Sequence, residues 1–486
     1  MQVSSDLLLG MWPYLAAAFS VLAAVLASGH AILHKRDPRA AVLWVGFIWL
    51  TPLLGPATYL IFGVNRIRRR ARSLRGARAR YRGPGVAAVC GPEQVADTLP
   101  AEARHLATLA RFVERVVARP LVSGNRIVPY VDGDQAYPAM VEAIDGAQRS
   151  LTLATYIFDN DRVGIWFADA LARAVARGVA VRVLIDDAGA RYSWPTVNHR
   201  LRRAGVPAAR FLPSLVPWRL KAMNLRNHRK ILVADGRVGF TGGMNLRAGH
   251  LLGGMPRHPV RDLHFGVEGP VVAQLQEVFA DDWMFTTGEE LRGEAWFPRL
   301  EAAGDTLVRG IAEGPDEDFE KLRWTILGAL ATARHSVQIL TPYFVPDLPI
   351  ITALNVATLR GVEVDIVLPE RSNLPFVNWA SMALLPLLLE HGCRAWLTPP
   401  PFDHSKLMLV DGHWAMLGSA NWDARSLRLN FEFNLECYGD ALTESLTGLV
   451  RERMARARPV RLDELMRRPL AVRLRDGIAR LWSPYL

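Results

Sequence analysis

The run HRKILVAD, His228 to Asp235, places a base, a cation and an acid in one short apolar segment. Side chains alternate along an extended chain, so His228 and Lys230 project together while Ile231 and Val233 face the other way. Taken alone, His-x-Lys is an ordinary half-exposed strand. The run HSKLMLVD, His404 to Asp411, repeats the same His-x-Lys-x-x-x-x-Asp spacing. Each Asp precedes a Gly (Asp235-Gly236 and Asp411-Gly412), a pair suited to a tight hairpin turn. Seven residues past each Asp the chain reads GGMN (Gly242 to Asn245) and GSAN (Gly418 to Asn421). Farther on, Asp262-Leu263-His264 and Glu432-Phe433-Asn434 align without gaps through Gly269 and Gly439. Two copies in one register argue against chance.

Two histidines and two lysines suit phosphoryl transfer through a covalent intermediate. One imidazole attacks phosphorus; the other protonates the leaving oxygen and later activates the acceptor. Lys230, Lys406, Asn245 and Asn421 are expected to donate hydrogen bonds to the non-bridging oxygens as charge develops. An acid on a histidine's far nitrogen fixes its tautomer, and Asp262 and Glu432 are the candidates. The motif acids Asp235 and Asp411 complete the expected catalytic set. Ser419 adds a hydroxyl that Gly243 lacks. No cofactor is expected. No metal is expected either, because His250, His258 and His264 flank a Gly-Gly loop without ligand spacing. The three cysteines, Cys90, Cys393 and Cys437, lie too far apart in sequence for a zinc module or disulfide framework.

These residues need a scaffold that occurs twice. Leu151–Tyr156 reads as a strand, Ile165–Ala176 as an amphipathic helix, and RGVAVRVLIDD as a buried strand. Val337–Tyr343, Pro349–Leu359 and RGVEVDIVLPE repeat that order. Strand–helix–strand units in both halves predict a duplicated α/β domain whose two His-x-Lys faces meet in one cleft. The expected division is a membrane region at 1–65, a basic linker at 66–105, and two lobes at 106–300 and 301–486.

The net charge of +11 sits at the two ends. Arg66 to Arg82 holds nine arginines and no acid, and Arg451 to Leu486 carries +6, which leaves −5 on residues 83–450. An acidic body is a poor match for nucleic-acid phosphates, so no nucleic-acid partner is expected. Leu7 to Leu33 and Ala40 to Val64 contain no Asp, Glu, Lys or Arg over 27 and 25 residues. Each is long enough to cross a hydrocarbon core of about 30 Å, predicting two N-terminal transmembrane helices. Pro52, Gly55 and Pro56 make the second irregular, kinked or re-entrant rather than straight. The arginine run that follows predicts a cytoplasmic body and attraction to anionic headgroups. The arginines among leucines in the tail suit either a membrane surface or a solvated helix.

The paired motifs resemble those of the phospholipase D superfamily, H-x-K-x4-D-x6-G-[GS]-x-N in a pseudo-dimeric α/β fold. NHRKILVADGRVGFTGGMN, RDLHFGVEGPVVAQLQEVFADDW (Arg261 to Trp283), the N-terminal hairpin and the terminal LWSPYL look most like bacterial cardiolipin synthases. The resemblance implies two phospholipase D-like lobes forming one active site behind two transmembrane helices. It also implies a multi-pass protein of the bacterial cytoplasmic membrane whose body faces the cytoplasm. By that resemblance His228 is the nucleophile and His404 the general acid; the residues alone show near-symmetry. The implied reaction joins two phosphatidylglycerols into cardiolipin and releases glycerol. The apolar stretches Phe211 to Trp218 and Leu374 to Leu389 suit either acyl chains or core packing. A hydrolase of the same fold, with water as acceptor, shares every motif. A catalytically inactive membrane scaffold is disfavoured because both copies keep His, Lys, Asp and Asn. Oligomeric state is not legible.

Overall fold

Residues 2–35, 38–63, 89–213, 225–315 and 318–483 are described in a computed structural model. The arginine run Arg66 to Arg82, most of the stretch Phe211 to Trp218 and the last three residues of LWSPYL lie outside them. The chain divides into two units, Met1–Ser73 and Leu74–Leu486.

In the first unit, α1 (Gln2–His34) contains the window Tyr14–His34, whose 21 residues have a mean hydropathy of 1.9. At 1.5 Å per residue that window covers about 30 Å, enough to cross a bilayer core. The second apolar stretch differs from the expected transmembrane helix. Its helix α2 (Pro38–Leu50) is 13 residues long, or about 20 Å, and the chain breaks at Thr51–Leu53. Pro52 has no N–H to continue the ladder, and Leu53 takes a positive φ of 67°. A short helix, α3 (Leu54–Thr58), and one wide turn, Tyr59–Gly63, follow. Among the described residues, one helix rather than two is long and apolar enough to span. Buried Ala24, Ala27 and Ala31 let α1 approach Ile48 and Tyr59 closely, and His30 Nδ1 meets the Tyr59 hydroxyl at 2.9 Å.

The second unit realises the expected duplication. Its first half supplies β1 (Leu121–Val131), β2 (Ser150–Thr155), β3 (Ala180–Asp186), β4 (Ala208–Phe211), β5 (Ile231–Ala234), β6 (Val238–Gly242) and β7 (Leu263–Glu268). Their order in the sheet is β1-β7-β6-β5-β2-β3-β4. The second half supplies β8 (Thr306–Glu313), β9 (Ser336–Leu340), β10 (Glu363–Pro369), β11 (Arg394–Thr398), β12 (Leu407–Val410), β13 (Trp414–Gly418) and β14 (Glu432–Tyr438). Their order, β8-β14-β13-β12-β9-β10-β11, is the same. Antiparallel pairing of β1 with β8, Val122 opposite Val308, fuses the halves into one sheet of 16 strands. The two halves therefore share one hydrogen-bonded framework.

Local chemistry explains the repeated crossovers. After β2, Asp161 caps α5 (Arg162–Ala176) by accepting from the Val163 and Gly164 N–H groups at 3.0 and 3.1 Å. After β9, Asp347 caps α8 (Leu348–Leu359) through the Ile350 N–H. Both helices stop at an Arg-Gly pair, with Gly178 at φ 84° and Gly361 at φ 90°, before β3 and β10. The strand interiors alternate between two cores. Leu151 and Leu153 of β2 join α4 (Asp132–Gly146) and α5, whereas Ala154 joins the core built on α6 (Val272–Thr287). Each large side chain buried this way contributes about 1.5–3 kcal/mol before entropy is counted. The second half carries α7 (Lys321–Thr332), α9 (Pro375–Leu384), α10 (Asp440–Ala455) and α11 (Leu470–Leu481). The apolar segment Leu374 to Leu389 is largely core: Val377, Ala380, Leu384, Leu385 and Leu388 are buried.

Candidate active site

The first motif leaves regular strand geometry where the chemistry begins. β5 starts at Ile231, because its antiparallel partner β2 ends its pairing at Ala154. His228, Arg229 and Lys230 precede it, and the chain there is held by the other half: the His228 N–H donates to the Phe431 carbonyl at 2.9 Å. The second motif mirrors this. Phe402–Asp403 pairs in parallel with Val260–Arg261, and the His404 N–H donates to the Arg261 carbonyl at 2.8 Å. Each histidine is thus positioned by backbone from the opposite lobe.

The carboxylates cross over in the same way. His228 Nδ1 donates to Glu432 Oε2 at 2.9 Å, and His404 Nδ1 donates to Asp262 Oδ2 at 2.8 Å. Glu432 and Asp262 are fully buried. With Nδ1–H committed to a carboxylate, each Nε2 is left with its lone pair. Burial lowers the His228 pKa. Burial also lowers that of His404 well below its ordinary value, with further depression from Lys406, Lys230 and His228. Before substrate binds, both imidazoles are therefore neutral near pH 7.

The lysines lie under the same cluster. Lys230 Nζ donates to the His228 carbonyl at 2.7 Å, and Lys406 Nζ donates to the His404 carbonyl. Burial lowers their pKa values to about 7 and about 8, against opposing attraction from Glu432 and Asp262. An arriving phosphodiester anion would favour the charged form of both.

The two carboxylates differ. Burial raises Glu432, but the attraction and hydrogen bond of His228, then Lys230 and the Ser419 hydroxyl, outweigh it and hold the group below its ordinary range. Ser419 Oγ donates at 2.6 Å and Asn430 Nδ2 at 3.0 Å. Burial raises Asp262 to about 6, and the nearby Asp403 adds to the rise. Asp262 faces Gly243, where a Cβ would stand 2.2 Å from Asp262 Oδ1. The shorter acid fills the space that a serine side chain would need.

Not every expected residue reaches this cluster. Asp235 lies past β5, about 16 Å of extended chain from Lys230. It takes a positive φ of 52° and accepts from the N–H groups of Gln148, Arg149 and Ser150 at 2.9, 2.7 and 2.9 Å. Asp411, also at φ 52°, accepts from Arg334, His335 and Ser336 and from His105 Nε2 at 2.7 Å. Both acids tie the hairpin turn to the start of the neighbouring strand. Asn245 Oδ1 accepts from the Ile157 N–H at 3.1 Å; the buried Asn421 side-chain oxygen has no hydrogen-bond donor among the described residues. His250 and His264 are buried, and burial lowers each to about 3.

Other residues reach the site without a motif to announce them. The Tyr156 ring stands 5.2 Å from the His228 ring, with Lys230 Nζ 5.7 Å from its centre. Tyr343 and Phe402 lie 6.1 and 5.9 Å from His404. Tyr156 and Tyr343 follow the carboxyl ends of β2 and β9, where crossover strands open onto a cleft, and that was the available signal. Arg229, the unremarked residue between His228 and Lys230, is buried. Its Nη1 lies 2.7 Å from both Asp282 oxygens, and Nε and Nη2 donate to the Glu432 and Glu313 carbonyls.

The sequence and the fold have counterparts in known proteins. Residues 140–283 and 326–453 match the family model described as "Cardiolipin synthase, PLD-like domain". Residues 21–63 match "Phospholipase_D-nuclease N-terminal". A cardiolipin synthase of Geobacillus thermodenitrificans is 33% identical over 99% of this chain and 94% of its own. The chain belongs to the cardiolipin synthase family of phospholipase D-like proteins. Among other members, a cardiolipin synthase 2 of Staphylococcus epidermidis is 33% identical over 75% of each chain. The fold is also that of the phosphatidylserine synthase of Haemophilus influenzae. That similarity has a TM-score of 0.59 at 15% identity and covers 78% of this chain and all of the other.

Proposed function

We propose that this protein is a cardiolipin synthase, transferring a phosphatidyl group from one phosphatidylglycerol to the hydroxyl of another and releasing glycerol. The crossed histidine–carboxylate pairs carry this reading: each motif supplies an imidazole, and each lobe supplies the acid that orients the other's imidazole. His404 takes up a second proton at Nε2 as the anionic phosphodiester binds. His228 Nε2 then attacks phosphorus, and the bond to the glycerol oxygen breaks as His404 delivers that proton to it. His404, now neutral, takes the proton of the acceptor hydroxyl. That oxygen attacks phosphorus, the P–N bond breaks and His228 is restored. Lys230 and Lys406, with Asn245 and Asn421, meet charge on the non-bridging oxygens, and Ser419 acts through Glu432. Asp235 and Asp411 act by holding the motif turns.

The first unit is read as a membrane anchor in which α1 spans and α2 with its following turns forms a return or re-entrant segment. The arginine run is read as a signal that keeps the body on the cytoplasmic side. The two lobes expected at 106–300 and 301–486 are read with one correction, since the helix Leu106–Val117 packs in the core of the second half. Phosphatidylglycerol and the membrane are the partners.

The test is lipid analysis of the full chain reconstituted with phosphatidylglycerol as the sole phospholipid. Diphosphatidylglycerol with equimolar glycerol is the expected product. Phosphatidic acid alone would identify water as the acceptor and make the protein a hydrolase of this fold.

A further inference from the structure

α11, near the end of the second lobe, presents two faces. The inward face carries Asp476 and Ala479, which are 1% and 0% exposed. Asp476 pairs with Arg468 and Arg475 at 2.8 Å, and the Arg475 guanidinium lies 4.4 Å from the centre of the Trp379 ring on α9. These contacts fix how the helix is turned. The outward face is apolar: Leu470, Leu474, Ile478 and Leu481 are 70, 56, 56 and 77% exposed. At about 100° per residue the four fall within an arc of about 80°. Arg475 borders one side of this stripe, and Arg473 and Arg480 border the other. A helix that needed its apolar residues only to pack on α9 would not align four more on the opposite face.

We propose that this stripe is a membrane-docking surface by which the second lobe lies on an anionic phospholipid interface, separately from the N-terminal unit. Charge selects the occupant. Residues 451–486 hold ten arginines against four acids, and Arg473 and Arg480 stand at headgroup level when the leucines enter the acyl boundary. An apolar stripe framed by cations suits a surface of lipid phosphates. Against a second copy of this helix, the same arginines would repel one another.

The full chain carrying Ile478→Cys, and separately Leu474→Cys, is labelled with an environment-sensitive fluorophore. Cys90, Cys393 and Cys437 are buried, so labelling favours the introduced thiol. The labelled protein is reconstituted into nanodiscs of phosphatidylglycerol and phosphatidylcholine in equal parts, some lipids bearing brominated acyl chains. The proposal predicts a blue-shifted probe that loses about half its emission to brominated lipid, and a smaller loss in pure phosphatidylcholine. Leu470→Glu with Leu481→Glu, both on the exposed face, should abolish the quenching while leaving the protein folded. No quenching in either lipid would overturn the proposal. So would cross-linking between two unlabelled Ile478→Cys chains through the introduced thiol, without quenching of the labelled form, which would make the stripe a dimer face. The readout needs no turnover, so it stands or fails apart from the catalytic reading.

Discussion

Gly243 and Ser419 hold matching motif positions, yet they are not interchangeable. Ser419 donates to Glu432, whereas a side chain at 243 would strike Asp262. Gly243→Ser should push Asp262 off His404 and lower kcat on the order of a hundredfold or more, as misoriented triad histidines do. Ser419→Gly should cost about tenfold or less, because His228 and Asn430 still bond Glu432. Steady-state kinetics of both variants on mixed micelles checks the asymmetry. The lysines give a pH prediction. In the free protein Lys230 and Lys406 lose their protons as pH rises through about 7 and about 8. Capture of an anionic phosphodiester then weakens, so kcat/KM should fall above that range. At saturating substrate kcat should fall less, since the bound anion favours the charged ammonium groups. A kcat/KM that stayed flat to pH 9 would remove the lysines from substrate capture.

At the scale of elements, the Asp-Gly turns explain why two of the motif acids read as catalytic and are placed elsewhere. Spacing put Asp235 and Asp411 in the motif, but spacing does not say which end of a four-residue strand faces the cleft. Each accepts three backbone N–H groups at a left-handed position that asparagine or aspartate tolerates well. Asp235→Ala should therefore lower stability by about 1–3 kcal/mol, read as a drop in Tm. Activity per folded molecule at low temperature should stay near that of the parent. The strand–helix–strand repeats were legible to within three residues at most ends, since Arg-Gly stops and β-branched runs are local signals. The crossing of Asp262 to His404 and Glu432 to His228 was not: pairing between lobes depends on the β1/β8 seam, and no short window encodes it. In the second apolar segment the irregularity expected from Pro52, Gly55 and Pro56 is present: the helix stops after 13 residues and Leu53 takes a positive φ.

Across the whole second unit, the seam and the site are one construction. Arg229 joins Asp282 of its own half to the Glu313 and Glu432 carbonyls of the other. Arg229→Met should leave Asp282 buried without its cation and cost about 3–5 kcal/mol, measured by denaturant unfolding. Activity should fall with it, because Glu432 loses its backbone support beside His228. The central claim is that two motifs build one site in which one histidine becomes covalently phosphatidylated and the other moves protons. A phosphatidyl ester with a nitrophenolate leaving group needs no acid to depart, so it can load the nucleophile without His404. In His404→Asn the loaded form should then accumulate, because no base activates the acceptor. Mass spectrometry of that variant should find the phosphatidyl adduct on the peptide carrying His228, and His228→Asn should carry none. An adduct on His404 in His228→Asn, with none on His228 in the reciprocal variant, would contradict the assignment of roles. Wild-type turnover in either variant would contradict the single shared site.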